Sequence, residues 1–206
     1  MLPRDFPNII FDLGGVLLNI DIPRTIAAFS EAIGKDFSRW YSQHKQSALF
    51  DAFEIGKITP EQFRQQLRQE LQTDLSDAEI DRCWNAMLID FPQHRLALLE
   101  EIGKKRRIFL LSNTNAIHKA AFDSLMQQQH GIESFSSFFE QDYYSHLLGM
   151  RKPNAEIFLY LIEKHGLKPQ ETLFIDDTLQ HVEGARKAGL QALHLPQGKE
   201  VVELFA

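Results

Sequence analysis

The sequence predicts an α/β fold, a doubly wound parallel sheet into which a small helical domain is inserted after the first strand. Short apolar runs alternate with helical patterns over most of the 206 residues, and several of these runs end in polar side chains. One region near the N-terminus breaks the alternation, because its apolar residues recur only at helical spacing. We therefore expect an α/β core formed by residues 1–20 and 93–206 and a helical cap formed by residues 21–92.

The composition is that of a folded protein with a substantial core, since hydrophobic residues make up 44% of the chain and charged residues 24%. A net charge of -6 argues against binding to nucleic acid or to anionic membranes. No apolar run approaches the ~20 residues of a membrane span, and the N-terminus shows no signal-peptide pattern. A single cysteine, Cys83, excludes an internal disulfide, so we expect a cytoplasmic protein. The sequence carries no signal for the oligomeric state.

The first predicted strand carries the residue on which the functional interpretation depends. An apolar run from Asn8 leads to Asp12, and two glycines, Gly14 and Gly15, break the strand after it. In open parallel sheets this edge is where ligands bind, so a carboxylate there indicates a functional site. The alternative is an aspartate that starts a turn, because Asp-x-Gly-Gly is also typical of turns.

The inserted region is predicted to contain about four helices and no strand. The helices are expected from Pro23 to Gly34, over 38–53, from the N-cap Thr59 and Pro60 onward, and from the capping box Ser76-Asp77-Ala78-Glu79 onward.

After Pro92, predicted helices and strands alternate. The strands are expected at 107–111, 135–140, 172–175 and 192–195. The helices are expected at 94–104, from about 115 to 129, at 154–165 and at 179–188. Right-handed crossovers between such units give a parallel sheet that is covered on both faces.

Polar side chains stand just beyond the ends of four of these segments. They belong to Asp12, to Ser112 and Asn113, to Lys152, and to Asp176 and Asp177. Carboxylates that lie so close repel one another unless a cation lies between them, and a hard divalent ion with oxygen ligands would be Mg²⁺. Lys152 and Ser112 would then hold a dianion opposite the metal. The set predicts phosphoryl transfer through an aspartyl-phosphate intermediate.

These segments resemble the four motifs of the haloacid dehalogenase-like hydrolase superfamily. The motifs stand in the order of that family as Phe11-Asp12-Leu13-Gly14-Gly15-Val16, Leu111-Ser112-Asn113-Thr114, Lys152-Pro153 and Ile175-Asp176-Asp177. The helical insertion resembles the small helical cap of the family, and the strings Ser112 to Asn115 and Gly149 to Pro153 resemble its small bacterial sugar phosphatases. The resemblance implies a Mg²⁺-dependent phosphomonoester hydrolase that acts on a small metabolite, with a sugar phosphate as the expected substrate.

The resemblance also implies a role for each motif residue. Asp12 corresponds to the nucleophile and to a Mg²⁺ ligand, and Lys152 to the lysine that neutralises charge on the nucleophile and the phosphate. The Ser112 hydroxyl and the Asn113 backbone N–H correspond to phosphate-binding donors. The remaining metal ligands implied are the Gly14 carbonyl and Asp177, with Asp176 acting through water.

Two positions depart from the family pattern. Gly14 stands where phosphatases of the family usually carry a second aspartate as general acid/base, a group whose contribution is typically ~10²–10⁴-fold. We expect a slower enzyme unless Asp21 or a water donates the proton, although the similar small sugar phosphatases also have glycine there. His181 stands where the family often has asparagine, and it either orients a ligand or lies on the helix surface.

Three other functions remain open. Family dehalogenases also lack the second aspartate, but they need no metal, which argues against them given Asp176 and Asp177. A phosphomutase would need the missing acid/base. A protein that binds phosphate or a partner without catalysis is expected if Gly14 has silenced the site. In the cap, Trp40 and Tyr41 are expected in the cap core, with pocket lining as the alternative, and Asp51 and Glu54 are equally undecided.

Overall fold

In the computed structural model, which describes residues 3–42, 45–46 and 48–206, strands and helices alternate along the core. The strands are β1 (Asn8–Phe11), β2 (Asn19–Ile20), β3 (Tyr41–Ser42), β4 (Lys45–Gln46), β5 (Leu88–Asp90), β6 (Arg107–Ser112), β7 (Gln141–Tyr144), β8 (Thr172–Asp176) and β9 (Gln191–His194). The α-helices are α1 (Ile22–Ile33), α2 (Ala48–Glu54), α3 (Pro60–Leu71), α4 (Asp77–Asn85), α5 (Gln93–Gly103), α6 (Ala116–His130), α7 (Ser145–Leu148), α8 (Ala155–His165) and α9 (Leu179–Lys187). Within these ranges, every helix falls short of the length and hydrophobicity that a membrane crossing requires.

One parallel sheet organises the core, with its strands in the order β7-β6-β1-β8-β9. Side chains of β1 alternate between its two faces. Ile9 and Phe11 belong to a hydrophobic cluster that includes residues of α5 and α6, whereas Ile10 belongs to one that includes residues of α8 and α9. Helices therefore cover both faces, and the predicted doubly wound fold class is confirmed.

The three central strands end at the same edge of this sheet. Asp12 follows β1 directly, Ser112 is the last residue of β6, and Asp176 is the last residue of β8. The pairing between strands continues up to this edge, because the Asp12 N–H donates to the Ile175 carbonyl at 2.9 Å. Parallel register thus places the polar ends of separate sequence motifs side by side.

The inserted region has a hydrophobic cluster of its own. Its buried residues fall between Phe29 and Met87, with Ile117 as the contribution from the core. The two strands that connect the insertion to the core, β2 and β5, pair antiparallel. On this basis we propose 21–92 as the cap domain and 1–20 with 93–206 as the core domain.

The two helix starts indicated by capping signals are present. Thr59 Oγ1 accepts from the Gln62 N–H at 3.3 Å, and Gln62 Oε1 accepts from the Thr59 N–H at 2.9 Å. Ser76 and Glu79 form the same reciprocal pair at the start of α4. Each capping box satisfies N–H groups that have no partner inside the helix, which fixes where the cap helices begin.

The continuous helix predicted over 38–53 is wrong, and its residues 43, 44 and 47 lie outside the described residues. A 3₁₀ turn over Phe37–Arg39 is followed by β3 and β4, and α2 begins only at Ala48. The Asp36 side chain accepts from the Ser38 N–H at 3.0 Å and so closes the turn. The aromatic residues of this stretch reach the cap cluster from different elements, because Tyr41 lies on β3 whereas Phe50 and Phe53 lie on α2. The expectation of no strand in the insertion is wrong for this hairpin and for β5.

The strand predicted at 135–140 is also wrong. Phe135–Phe138 form a 3₁₀ turn, started by Ser134 Oγ, which accepts from the Ser136 N–H at 3.3 Å. Phe135 packs on Phe91 with ring centroids 5.1 Å apart, so the apolar run covers the core from a turn. The strand of this region is the next segment, β7, which lies at the edge of the sheet and begins with polar residues. An edge strand is not buried on all sides, so its sequence carries little apolar signal.

Candidate active site

Lys152 lies at the centre of the site, and its side chain is completely buried. Its Nζ donates to Asp12 Oδ1 at 2.7 Å, to Asp176 Oδ2 at 2.7 Å and to the Leu111 carbonyl at 2.9 Å. Burial alone would lower the pKa of Lys152, but the two carboxylates outweigh burial and raise it above its ordinary value. A buried ammonium group is stable only when it has such partners. Through these three contacts Lys152 connects β1, β6 and β8 near their C-terminal ends.

The Asn113 side chain fixes the loop that delivers Lys152. Asn113 Oδ1 accepts from the Lys152 N–H at 3.0 Å, and Asn113 Nδ2 donates to the Lys152 carbonyl at 3.0 Å. The family resemblance implies a role only for the backbone N–H of Asn113, and this side-chain contact is not predicted from the sequence. The available signal was chemical, because an amide is the side chain that offers both a donor and an acceptor to a peptide unit.

The two neighbouring aspartates have different surroundings. Asp176 is fully buried, and besides Lys152 it accepts from the Thr178 N–H at 2.8 Å. His181 Nδ1 lies 3.1 Å from both oxygens of Asp176, so His181 orients an acidic residue instead of lying free on the helix surface. Asp177 is only partly buried, and its side chain borders the cavity next to Asp12. Asp177 is therefore the more open of the two toward a ligand.

The carboxylates of Asp12, Asp176 and Asp177 form one cluster, in which one oxygen of each lies within 4.8 Å of the others. Burial and the charge of Asp176 raise the pKa of Asp12 to about 6. Burial and the charges of the other two aspartates raise the pKa of Asp177 to about 7. For Asp176 burial acts in the same direction, but Lys152 and His181 outweigh it and hold the pKa at about 2. A crowded set of carboxylates, of which Asp12 and Asp177 resist ionisation, fits a hard divalent cation such as Mg²⁺.

Two consecutive glycines border this cluster, and a side chain added at each would meet a different neighbour. Gly15 has a φ of +75°, and a Cβ at this position would overlap the Asp177 carboxylate. At Gly14, where the family usually carries its second aspartate, a Cβ would lie 3.1 Å from Ile20 Cδ1. An apolar side chain therefore packs at the position where the resemblance would place a general acid.

Asp21, the substitute proton donor considered from the sequence, points elsewhere. It forms an exposed ion pair with Arg24 at 3.2 Å, and it borders a neighbouring cavity of about 400 Å³. That cavity also reaches Asp177, but Asp12 is not among the described residues that line it.

The predicted phosphate-binding hydroxyl stands beside the nucleophile position. Ser112 ends β6, the neighbour of β1, and it is 3% exposed. Its hydroxyl is 3.4 Å from the Asn113 carbonyl, which is a long contact, and Asn113, not Ser112, is among the described residues that line the cavity beside Asp12.

A cavity of about 490 Å³ joins the acidic cluster to the cap, a volume in the range of small-molecule sites. Its core wall contains Asp12 and Lys152. Its cap wall is formed by Tyr41, Asp51 and Glu54, with Arg151 contributed by the core loop. Tyr41 also belongs to the cap cluster, and Trp40 packs against that cluster. Tyr41 therefore packs in the cap cluster and also lines the cavity. Asp51 and Glu54, which the sequence left undecided, line the cavity.

Comparison with known proteins agrees with this geometry. Residues 6–189 match the family model of haloacid dehalogenase-like hydrolases. The chain is 28% identical to a D-ribitol-5-phosphate phosphatase of Bacteroides thetaiotaomicron, over 94% of this chain and 93% of that protein. It is 26% identical to a sesquiterpene phosphatase of Aspergillus oryzae, over 92% of this chain and 90% of that protein.

A solved structure extends the similarity to the whole chain. It is a crystal structure of a haloacid dehalogenase family enzyme from Bacteroides thetaiotaomicron, a mutant in complex with magnesium and inorganic phosphate. The two share 33% identity and a TM-score of 0.92, over 98% of this chain and 99% of that one. By its motifs, its fold and these relatives, the chain belongs to the haloacid dehalogenase-like hydrolase family.

Proposed function

We propose that this hydrolase is a Mg²⁺-dependent phosphatase of small phosphate monoesters, with phosphorylated carbohydrates as its substrate class. The observation that carries the proposal is the position of Lys152 Nζ, 2.7 Å from both Asp12 and Asp176 on the wall of a cavity that also holds Asp177. The ribitol-phosphate phosphatase supports the substrate class, and the magnesium and phosphate of the related structure support the cofactor.

In the first step Asp12 acts as the nucleophile. One of its carboxylate oxygens forms a bond to phosphorus, the bond between phosphorus and the ester oxygen breaks, and an aspartyl phosphate results. Lys152 holds Asp12 in place and offsets negative charge as the phosphoryl group approaches. The Ser112 hydroxyl and the Asn113 N–H donate to the phosphoryl oxygens. Asp12, the Gly14 carbonyl and Asp177 would hold Mg²⁺, with Asp176 acting through water, and the bound ion would neutralise charge on the same oxygens.

In the second step water attacks the phosphorus of the aspartyl phosphate. The bond from phosphorus to the Asp12 oxygen breaks, inorganic phosphate leaves, and the carboxylate is regenerated. Over the cycle one water and one ester give one alcohol and one phosphate, so no other reactant is needed.

The proton for the leaving alkoxide comes from water in this scheme. Ile20 packs against Gly14, and Asp21 borders the neighbouring cavity, so neither position supplies a carboxyl group beside Asp12. Without a positioned acid, the rate should depend steeply on the leaving group, and aryl phosphates should react faster than alkyl phosphates of similar fit.

The cap wall supports a carbohydrate over a terpenyl substrate. Asp51, Glu54 and Arg151 all border the cavity, and an apolar chain would remove water from these charged groups without offering them a hydrogen bond. Hydroxyl groups can hydrogen-bond to them instead. Cys83 is buried and free, which fits a reducing compartment, and we place the enzyme in the cytoplasm on that basis.

Phosphate release from a panel of esters tests the proposal. The panel contains ribitol phosphate, glucose phosphate, farnesyl phosphate and an aryl phosphate, each with Mg²⁺ and with a chelator. We expect release that requires Mg²⁺ and favours the carbohydrate esters over farnesyl phosphate. Asp12→Asn should abolish it, and Asp74→Asn, which removes an exposed cap carboxylate, should not. Release that survives either chelation or Asp12→Asn would refute the mechanism, and no release from any ester would favour a binding protein.

A further inference from the structure

Asp177 differs in its surroundings from the other two aspartates of the acidic cluster. Asp12 and Asp176 are buried, and Lys152 Nζ donates to each of them at 2.7 Å. Asp177 is only partly buried, and it borders both the cavity beside Asp12 and the neighbouring cavity of about 400 Å³. A carboxylate that lies between two cavities is packed on fewer sides, so hydrogen bonds have to set the direction in which it points.

The peptide unit between Asp177 and Thr178 is held at both of its polar ends. The Asp177 carbonyl lies 2.9 Å from His194 Nε2, and a carbonyl oxygen can only accept, so the imidazole donates through Nε2. The Thr178 N–H donates to Asp176 Oδ1 at 2.8 Å. Because a peptide unit is planar, hydrogen bonds at its two ends fix its orientation, and with it the backbone from which the Asp177 side chain projects.

The Asp177 carboxylate itself has two further neighbours. Thr178 Oγ1 donates to Asp177 Oδ1 at 3.2 Å. The other oxygen, Oδ2, faces Gly15, where a Cβ would lie only 2.2 Å from it. The carboxylate therefore occupies the space that Gly15 leaves free. In this position one of its oxygens lies within 4.8 Å of an oxygen of Asp12 and of Asp176.

His194 lies outside the four sequence motifs, and the sheet brings it to the site. It is the last residue of β9 and the register partner of Asp176, the last residue of β8. The pairing continues one step further, because the Leu195 N–H donates to the Asp176 carbonyl at 2.9 Å. The edge strand β9 therefore ends beside the acidic pair and supplies an imidazole donor there.

From these contacts we infer that His194 is a positioning residue of the magnesium site, which acts through the Asp177 carbonyl, and that the Thr178 hydroxyl does the same for the Asp177 carboxylate. The inference rests on the proposed Mg²⁺-dependent phosphatase function and adds to it two residues that act through a proposed metal ligand. Groups that hold a metal ligand in place typically contribute about 10–100-fold to metal affinity.

Calorimetric titration of the metal-free protein with Mg²⁺, in the absence of any ester, measures this role without turnover. His194→Leu removes the donor and should weaken Mg²⁺ binding about 10–100-fold. His194→Gln places an amide N–H at the reach of Nε2 and should recover most of the affinity. His194→Asn, whose shorter amide corresponds in reach to Nδ1, should not recover it.

His130 provides a matched control. Its Nε2 lies 2.7 Å from the Phe91 carbonyl, so the last residue of α6 makes the same kind of contact as His194. His130 is not among the described residues that line the two cavities beside Asp177. His130→Leu should therefore lower the melting temperature about as much as His194→Leu does and leave the Mg²⁺ affinity unchanged.

A second pair of variants tests the contact on the carboxylate. Thr178→Val removes the hydroxyl and should weaken Mg²⁺ binding, whereas Thr178→Ser retains a hydroxyl and should bind Mg²⁺ like the wild type. At saturating Mg²⁺, His194→Leu should recover the wild-type kcat and KM, because a positioning residue of this kind acts through the affinity for the ion.

The outcomes separate this inference from the function on which it rests. Unchanged Mg²⁺ affinity in His194→Leu, or an equal loss in His194→Gln, would overturn the role of His194 and leave the phosphatase intact. A kcat that stays low in His194→Leu at saturating Mg²⁺ would also overturn it. If His194→Leu does not fold, the Thr178 pair decides, and equal Mg²⁺ affinity in its two members would overturn the inference. A wild-type protein that neither binds Mg²⁺ nor hydrolyses any ester would refute the phosphatase itself.

Discussion

The two walls of the cavity hold their charges in different ways, although consecutive residues supply their cations. Lys152 on the core wall is fully buried and has three partners at 2.7–2.9 Å. Arg151 on the cap wall is 24% exposed and pairs with carboxylates that are themselves partly exposed. A buried ion pair cannot exchange partners without leaving a charge uncompensated, whereas a partly exposed one can. From this comparison we propose that the core wall carries the chemistry and that the cap wall contributes to substrate selection.

Replacing each of these two cations by methionine should give the largest contrast. Lys152→Met leaves Asp12 and Asp176 buried without their shared partner, so we expect a loss of about 3–5 kcal/mol in unfolding free energy. Phosphate release should fall at least about 10²–10³-fold as charge stabilisation is lost. Arg151→Met should cost at most about 1 kcal/mol and retain most hydrolysis of neutral esters. Urea unfolding in the presence of a chelator measures both stabilities, and equal losses in the two variants would contradict the assignment.

A second contrast uses two glycines that both have a positive φ. Gly15 has a φ of +75° and Gly149 a φ of +68°, but a Cβ would overlap Asp177 at the first and meet nothing within 4 Å at the second. Alanine should cost about 1–2 kcal/mol at both positions because of the left-handed backbone. Only Gly15→Ala should also displace Asp177, and we expect the Mg²⁺ concentration for half-maximal activity to rise about 10–100-fold. The same Mg²⁺ requirement in both variants would show that Asp177 is not a ligand.

The core wall could be predicted from the sequence, because strand ends in a parallel sheet converge whatever the rest of the chain does. Asp12 follows one apolar strand and Asp176 ends another, and the adjacent strands bring the two residues together. The side-chain contact of Asn113 with Lys152 escaped prediction, because residues 39 positions apart in sequence carry no local sign of contact.

The cap wall could not be predicted for a different reason. The position of Asp51 and Glu54 depends on where α2 begins and ends, and the helix predicted over 38–53 contains Asp51 but stops before Glu54. The helical period of the insertion predicted that helix, but its first residues form a 3₁₀ turn and a hairpin, and the helix itself begins at Ala48. The spacing of apolar residues predicts which residues are buried, but it does not predict the type of element to which they belong. The residues of the cap that face the cavity could therefore not be predicted from the sequence.

The acidic cluster should make the response to Mg²⁺ depend on pH. The pKa values of Asp12 and Asp177, about 6 and about 7, are raised above their unfolded values, so their contribution to stability is lost as pH rises through that range. The lowered pKa of Asp176 has the opposite effect, because its contribution to stability is lost as pH falls. This loss occurs only below the pH at which an ordinary aspartate titrates. Mg²⁺ binds the ionised carboxylates, so it should raise the melting temperature more at about pH 8 than at about pH 5.

Thermal unfolding with and without Mg²⁺ at the two pH values measures this effect. A concentration of 100 times Kd stabilises the folded protein by about 2.7 kcal/mol. Asp177→Asn removes a proposed ligand and should lose most of the Mg²⁺-dependent shift at both pH values. A shift of equal size at both pH values in the wild type would show that the ion binds away from these carboxylates.

The smallest expected effect concerns His181, the departure from the family pattern that lies beside Asp176. His181 Nδ1 is 3.1 Å from both Asp176 oxygens, but Asp176 keeps Lys152 and the Thr178 N–H without it. Loss of one such hydrogen bond is worth about 0.5–1.5 kcal/mol, so His181→Leu should lower kcat about three- to tenfold with little change in KM. His181→Asn retains a side-chain donor and should recover most of that loss. If asparagine and leucine lower kcat equally, His181 acts through its packing and does not orient Asp176.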